Sequence, residues 1–260
     1  MRTILALLSL LIVTCGRAQD DDGYFTLWAG PQIGVLNMPD FDTFAESFNR
    51  VNKNELASEL DGVGITYGFQ VGATYMLSKS IGFHLSYRHH RTSVSADFTD
   101  GSTRRFQHDL FTPLNGGLLV RIKRIDIQPR LGFCEAYIRS STEYADGTVS
   151  FGTERRLNGV YRTFGLFAGL DISGRITLSD RMQLGIGAGW CAVSGSDYTE
   201  PNVSRTVDTE TVYPIGLPTD WQRWLDVVAA NELPSYDTDA YVHLKGSWYY
   251  AFVNLMVDLK

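Results

Sequence analysis

The stretch GVGITYGFQVGATYML, Gly62 to Leu77, decides how this chain is read. Val63, Ile65, Tyr67, Phe69, Val71, Ala73, Tyr75 and Leu77 make every odd position apolar, while Gly62, Gly64, Thr66, Gly68, Gln70, Gly72, Thr74 and Met76 are mostly small or polar. Successive side chains of a strand point to opposite sides, so a period of two marks a strand with two unlike faces. Strands of soluble sheets usually run for about five or six residues. This pattern holds for about sixteen, where a tilted bilayer crossing needs about 9–11 residues in hydrocarbon plus some excess at the rims. The glycines fall on the face that would line a narrow interior. The pattern predicts a transmembrane β-barrel.

Working outward, the same alternation recurs seven times. The first strand, Tyr24 to Leu36, sets Phe25, Leu27, Ala29, Ile33 and Val35 against Thr26, Trp28, Gly30, Gln32 and Gly34. Pro31 brings no N–H to a ladder and predicts a bulge there. In the long connection Asn37 to Asp61, Asp40 or Asp42 is placed to cap a helix carrying Phe41, Phe44, Phe48 and Val51 at spacings of three and four. Such a helix is expected to pack on the barrel rim. The third strand, Ile81 to Ser93, turns His84, Ser86, Arg88 and His90 inward, and a polar loop through Asp97, Asp100 and Gly101 follows. The fourth, Arg105 to Ile122, is read in one phase: Leu110, Leu114, Leu118, Val120 and Ile122 outward, Asp109, Asn115, Gly117 and Arg121 inward. Further strands follow at Ile125 to Ile138, Leu157 to Ile176, Arg181 to Val193 and Gly246 to Leu259. The sum is an all-β, eight-stranded, antiparallel up-and-down barrel with long connections alternating with short ones, as in outer-membrane barrels with short periplasmic turns and long outer loops.

Composition agrees. Mean hydropathy is −0.10, and beyond the N-terminus there is no apolar run of about 18 residues, which excludes a bundle of spanning helices. A soluble lipocalin-type barrel would have a polar exterior and an apolar cavity, the inverse of where the glycines, arginines and aspartates fall. Residues 1–18 have the form of a secretory signal: Arg2, the apolar Ile4 to Val13, and Gly16-Arg17-Ala18 as a small-x-small cleavage site before Gln19. Acylation of Cys15 is the alternative processing. Residues 19–260 then form the barrel domain. Removing Arg2 and Arg17 from 23 basic residues leaves 21 against 29 acidic, a net charge of −8, which argues against nucleic acid as a partner. Cys134 and Cys191 fall on strands with another strand between them, too far apart for an unstrained disulfide, so both are expected as buried thiols.

Eight strands enclose an interior only wide enough for side chains to fill. The inward set includes Arg88, Arg121, Arg130 and Arg175 against Asp109, Asp126, Asp171 and Asp258, and opposite charges in so confined a space are expected to pair. The predicted role is non-enzymatic: an envelope or surface-interaction protein acting through its outer loops. A narrow ion or solute channel lined by those charges is the first alternative, and a membrane-embedded lipid hydrolase the second. A hydrolase would need a histidine two positions from a serine on one face, but His89 is followed at that distance by Arg91 and His90 by Thr92. No close His/Cys set has metal-ligand spacing, and no cofactor is expected. The expected surroundings are outer-membrane lipid and a protein partner at the loops. Thr219 could cap a helix from Asp220 to Asn231 whose stripe of Trp221, Trp224, Leu225 and Val228 would either cap the mouth or meet that partner.

Trp28-Ala29-Gly30 with Gly34 in the first strand, the phenylalanine-bearing segment after it, and above all GFQVGATYMLSKSIGFHLSYR, Gly68 to Arg88, give the chain its likeness to a known group. It resembles the small outer-membrane β-barrel family of Gram-negative bacteria, of the porin-family or outer-membrane-protein β-barrel-domain kind. The resemblance implies insertion in the outer membrane and carries no catalytic motif. Such barrels often end in an aromatic residue, whereas Val257-Asp258-Leu259-Lys260 stands here, with Tyr249, Tyr250 and Phe252 further back.

Overall fold

The computed structural model describes residues 23–150, 159–198 and 242–259 of the 260-residue chain. Residues 1–18 with Cys15, and the segment bearing Trp221, Trp224, Leu225 and Val228, lie outside the described residues. Among those described, strands β1 (Tyr24–Asn37), β2 (Ile65–Met76), β3 (Ile81–Asp97), β4 (Thr103–Ile122), β5 (Ile125–Glu143), β7 (Gly159–Thr177), β8 (Met182–Asp197) and β9 (His243–Leu259) form the wall. The two-residue β6 (Val149–Ser150) pairs only with the end of β5. Each wall strand is antiparallel to both its neighbours. The β1–β9 and β4–β5 pairings close the sheet into an eight-stranded barrel.

The exterior shows why this barrel belongs in lipid. Phe83 and Leu85 on β3, Leu114 and Leu118 on β4, Leu131 and Phe133 on β5, and Phe164, Leu166 and Leu170 on β7 are all exposed on the outer wall. A continuous apolar belt of this kind far exceeds the patches that soluble monomers show. Water-facing, it would be destabilising; lipid-facing, it is the surface that holds the barrel in place.

Two prolines behave differently from one another. At Pro31 no bulge forms: the β1–β2 register runs unbroken from Tyr24↔Met76 to Val35↔Ile65, with Pro31 opposite Phe69. Along β9 the pairs at Gly30 and Pro31 are missing, yet the register is the same on both sides, from Ala29↔Leu255 to Gln32↔Phe252. The missing N–H is thus absorbed without an extra residue. At Pro113 the reverse holds. The ladder shifts between Ser86 and Arg88 on the β3 side, and between Phe111 and Leu114 on the β4–β5 side. One added residue near Pro113 inverts the inside–outside phase of β4 upstream of it. Leu114, Leu118, Val120 and Ile122 face lipid as the alternation predicts. Above the bulge, however, Leu110 is buried inside, and Asp109 lies on the outer wall opposite Arg91. Asp109 is therefore not a lumen charge.

The third connection is also not a long loop. Strands β3 and β4 continue to Asp97 and Thr103, leaving 98–102 as the turn. Past the membrane the outer wall needs no apolar side chains, so the alternation weakens in sequence while Ala96 and Phe106 still point inward.

Helix α1 (Pro39–Asn52) follows β1. Its N-cap is Met38, with no side-chain cap, so neither Asp40 nor Asp42 plays that part; Pro39 opens the helix and the two aspartates sit in its first turn. Phe41, Phe44 and Phe48, at helical spacing, are wholly buried. They pack into the outer mouth of the barrel, against Phe106 and His108 of the inner wall. The chain after the helix is tied to the β3–β4 hairpin, where Ala57 N–H donates to Asp97 O and Thr99 N–H to Glu55 O, both at 2.8 Å. Asp40 anchors the other side through His243 Nδ1 at 2.8 Å.

Candidate functional site

The lumen is filled in three layers, each built by inward positions of strands that alternate in register. Nearest the short turns, Arg121 binds Asp126 through two parallel contacts, Nε–Oδ1 at 2.8 Å and NH2–Oδ2 at 3.0 Å. Arg175 approaches the same carboxylate at 3.3 Å and donates to Gln183 Oε1 at 2.9 Å. Gln183 in turn donates to Asp258 at 2.8 Å, whose other oxygen accepts from Thr26 Oγ1 at 2.6 Å. Two arginines and two aspartates thus form one connected set, each carboxylate having a donor for each oxygen.

The middle layer is centred on Asp171, which has no exposed surface. Arg88 NH2 and Arg130 NH2 reach its Oδ2 at 2.5 and 2.7 Å, and the Tyr250 hydroxyl donates to its Oδ1. Arg130 also donates to Ser86 Oγ at 2.7 Å, Asn115 Oδ1 at 3.0 Å and Gln128 Oε1 at 2.8 Å. Arg88 lies over the Tyr250 ring and Arg130 over Trp28. Gly189 is small for a reason: a Cβ there would meet both the Asp171 carboxylate and the Tyr250 ring. This layer holds two cations to one anion. Arg88 Nε and NH1 and Arg130 Nε find no hydrogen-bond partner in the protein among the described residues, and His84 is buried beside them.

The third layer is apolar. His90 pairs with Gln32 and abuts Trp248, which donates to Thr66 Oγ1 at 3.2 Å. Beyond it come the phenylalanines of α1 with Phe106, Leu110, Tyr161 and Leu244. A cavity of about 10 Å³ remains at the junction of polar and apolar layers, room for about one water molecule.

Arg88, Arg121, Arg130, Arg175, Asp126, Asp171 and Asp258 are therefore brought together inside, in two separate sets. Asp109 is not among them. Tyr250, Gln183 and Thr26 complete the sets; all three occupy inward positions of the alternation, but no charge singles them out. His89 and His90 point to opposite sides of the wall: His90 is buried, and His89 faces out, its Nε2 3.0 Å from Asp109 and its ring stacked on Phe111. Ser93 shares the outer face with His89 but lies four residues, about 13 Å, further along the strand, beyond the reach of a nucleophile–base pair. Cys134 and Cys191 are buried free thiols. Among the described residues no three His, Cys, Asp or Glu side chains are grouped to hold a metal.

No known protein family and no curated protein matches the chain in sequence. Among solved structures it is similar to Ail, the attachment invasion locus protein of Yersinia pestis, with 9% identity over 92% of this chain and 100% of that one, at a TM-score of 0.43. OprG of Pseudomonas aeruginosa gives 9% identity, 92% and 96% coverage and a TM-score of 0.39. Neisserial surface protein A gives 8%, 91% and 99%, and 0.36. At these values the geometry of the chain itself has to carry the assignment, through a closed antiparallel wall, an apolar outer belt and a polar, ion-paired inside. The chain is a closed, eight-stranded antiparallel β-barrel with a lipid-facing apolar belt.

Proposed function

We propose that the protein is a closed, non-enzymatic outer-membrane barrel that acts through the surface its outer connections present. The observation that carries this reading is the filling of the lumen from end to end by the chain's own side chains, with α1 stoppering the outer mouth above two layers of paired charge. Such an interior is a rigid core, and an unpaired charge within it would be costly. Recognition then falls to the outer face of α1 and to the longest connection, where Trp221, Trp224, Leu225 and Val228 are the residues proposed to meet a partner. Single-channel recording of the refolded protein in a planar bilayer tests this. No conductance steps are expected, either in the wild type or after Phe44→Ala, because the ion-paired layers remain.

A narrow channel is the second reading, favoured by one observation: in the middle layer Arg88 and Arg130 face a single carboxylate, with Arg88 Nε and NH1 and Arg130 Nε left without partners among the described residues. Reproducible openings that change with Arg130→Ala and Asp171→Ala would replace the first reading with this one.

A further inference from the structure

The outer wall changes chemistry abruptly above its apolar belt. One register row across the sheet runs His89, Phe111, Glu135, Phe164. The next runs Arg91, Asp109, Tyr137, Arg162, and Arg139 stands one row higher. Three arginines from three strands thus share one patch of the lipid-facing side, directly above an aromatic girdle. Arg91 is about ten residues above the periplasmic end of β3 and Asp109 about thirteen above that of β4. At about 3.4 Å per residue and a tilt near 40°, these residues lie about 25–35 Å above the periplasmic turns, at or just past the edge of an apolar band about 25 Å tall.

The arginines are held by acids that lie behind them. Asp109, whose side chain has no exposed surface, accepts from Arg91 Nε at 2.7 Å and lies 3.0 Å from His89 Nε2, while Arg139 Nε stands 3.7 Å away as an ion-pair neighbour without a hydrogen bond. Glu135 receives Arg162 Nε at 2.5 Å, and the Arg162 guanidinium lies 4.1 Å over the Phe164 ring. In each case the recorded contact is through Nε. The side chains of Arg91, Arg139 and Arg162 remain 52%, 48% and 39% exposed. No hydrogen bond from their NH1 or NH2 atoms is found among the described residues. Three cations against two anions leave the patch positive by one charge.

We propose that Arg91, Arg139 and Arg162 form a docking site for the phosphate group of an outer-leaflet glycolipid, whose acyl chains lie along Phe111, Phe133 and Leu166 below. Guanidinium ends bind phosphate through paired, planar, charge-assisted hydrogen bonds. The buried Asp109 and the partly buried Glu135 hold Arg91 and Arg162 in place in advance, so less ordering is lost on binding. The site faces sideways, continuous with the apolar wall, so a lipid reaches headgroup and chain contacts together, whereas free phosphate reaches only the arginines. This inference rests on the wall crossing the membrane as proposed.

The test titrates the full-length refolded protein, in an uncharged detergent, with a bis-phosphorylated diglucosamine lipid and with the same lipid after dephosphorylation. The wild type is expected to bind the phosphorylated form at least about tenfold more tightly, the loss of one charge-assisted bond corresponding to about that factor. R91Q/R139Q/R162Q should lose the preference, while R105Q, whose side chain pairs with Glu143 outside the patch, should keep it. Should the triple variant not fold, Arg139→Gln, which removes the arginine with the longest ion-pair contact of the three, is expected to lose part of the preference alone. Equal affinity of the wild type for both lipids, or a preference that survives the substitutions, would overturn the site. Abolition of binding by millimolar inorganic phosphate would reassign it to the free anion. Flotation of the protein with phosphatidylcholine liposomes is run alongside: failure to float sinks the membrane reading itself, whereas flotation without phosphate preference sinks only this site.

Discussion

The half of the lumen at the short turns and the half under α1 are lined by the same eight strands yet filled in opposite ways. Below, the side chains must span the interior by themselves, and Arg88, Arg121, Arg130 and Arg175 do so by meeting Asp126 and Asp171, with Asp258 linked through Gln183. Above, a separate segment enters, and Phe41, Phe44 and Phe48 let the wall be mostly apolar, with Phe106 and Leu110 beside a single buried cation, Arg104, among the described residues. The difference follows from reach. Long charged side chains can bridge a narrow barrel and specify which strands face one another, whereas rings carried on a helix exclude water without fixing a unique partner atom. One half depends on pairing across the barrel; the other depends on a single element staying docked.

The comparison is broken most severely by Asp171→Ala, which leaves Arg88 and Arg130 buried without their carboxylate. A loss of about 3–5 kcal/mol is expected, read as a lower urea midpoint for the barrel in micelles. An unchanged midpoint would mean that the middle layer is not held by charge. Phe44→Ala should remove about 3 kcal/mol or more of packing, but locally. Hydrogen exchange is expected to speed up in residues 39–52 while the strands keep their protection. If the strands lose protection in step, the helix and wall are one cooperative unit and the two halves are not separable.

The smallest effect concerns pH. Burial, and then the charge of Glu46, hold the Asp42 carboxyl above its ordinary value of 3.8, against a hydrogen bond from the Val63 backbone. An acid with a raised native pKa binds its proton more readily folded than unfolded. Docking of α1 should therefore be firmest at acid pH and slacken as pH rises from 3.8 through the raised native value. Asp42→Asn should flatten that dependence, measured by exchange of the helix amides across the window. A dependence that persists in the variant would assign it to another group.

How far the sequence was legible can be judged from two of its eight prolines, Pro31 and Pro113. Both carry the same local message, a missing donor, and only Pro113 produces a bulge. The alternation of Ile65 to Leu77, or of Ile81 to Tyr87, is written in consecutive residues, so it survives into the structure, whereas Val63 precedes the strand and is buried in the core instead of facing out. The phase of Arg104 to Leu110 is not, because it depends on how many residues of β4 stand opposite β3 and β5. Asp109 was misplaced for that reason, and with it the arginine patch outside the wall stayed hidden. The helix was visible from Phe41, Phe44 and Phe48, but not the mouth that receives it, which is assembled from β4, β5, β7 and β9.

By itself the sequence determined eight membrane-length strands, their apolar side and the population of charges that had to go inside, because covalent geometry alone sends neighbouring side chains to opposite faces. The tertiary structure decided which charge meets which. Arg88 and Asp171 are separated by 83 residues, and no local rule relates them. Only closure of the sheet, with its bulge at Pro113 and its register at β1–β9, brings the two into one layer and turns Asp109 outward to its arginines.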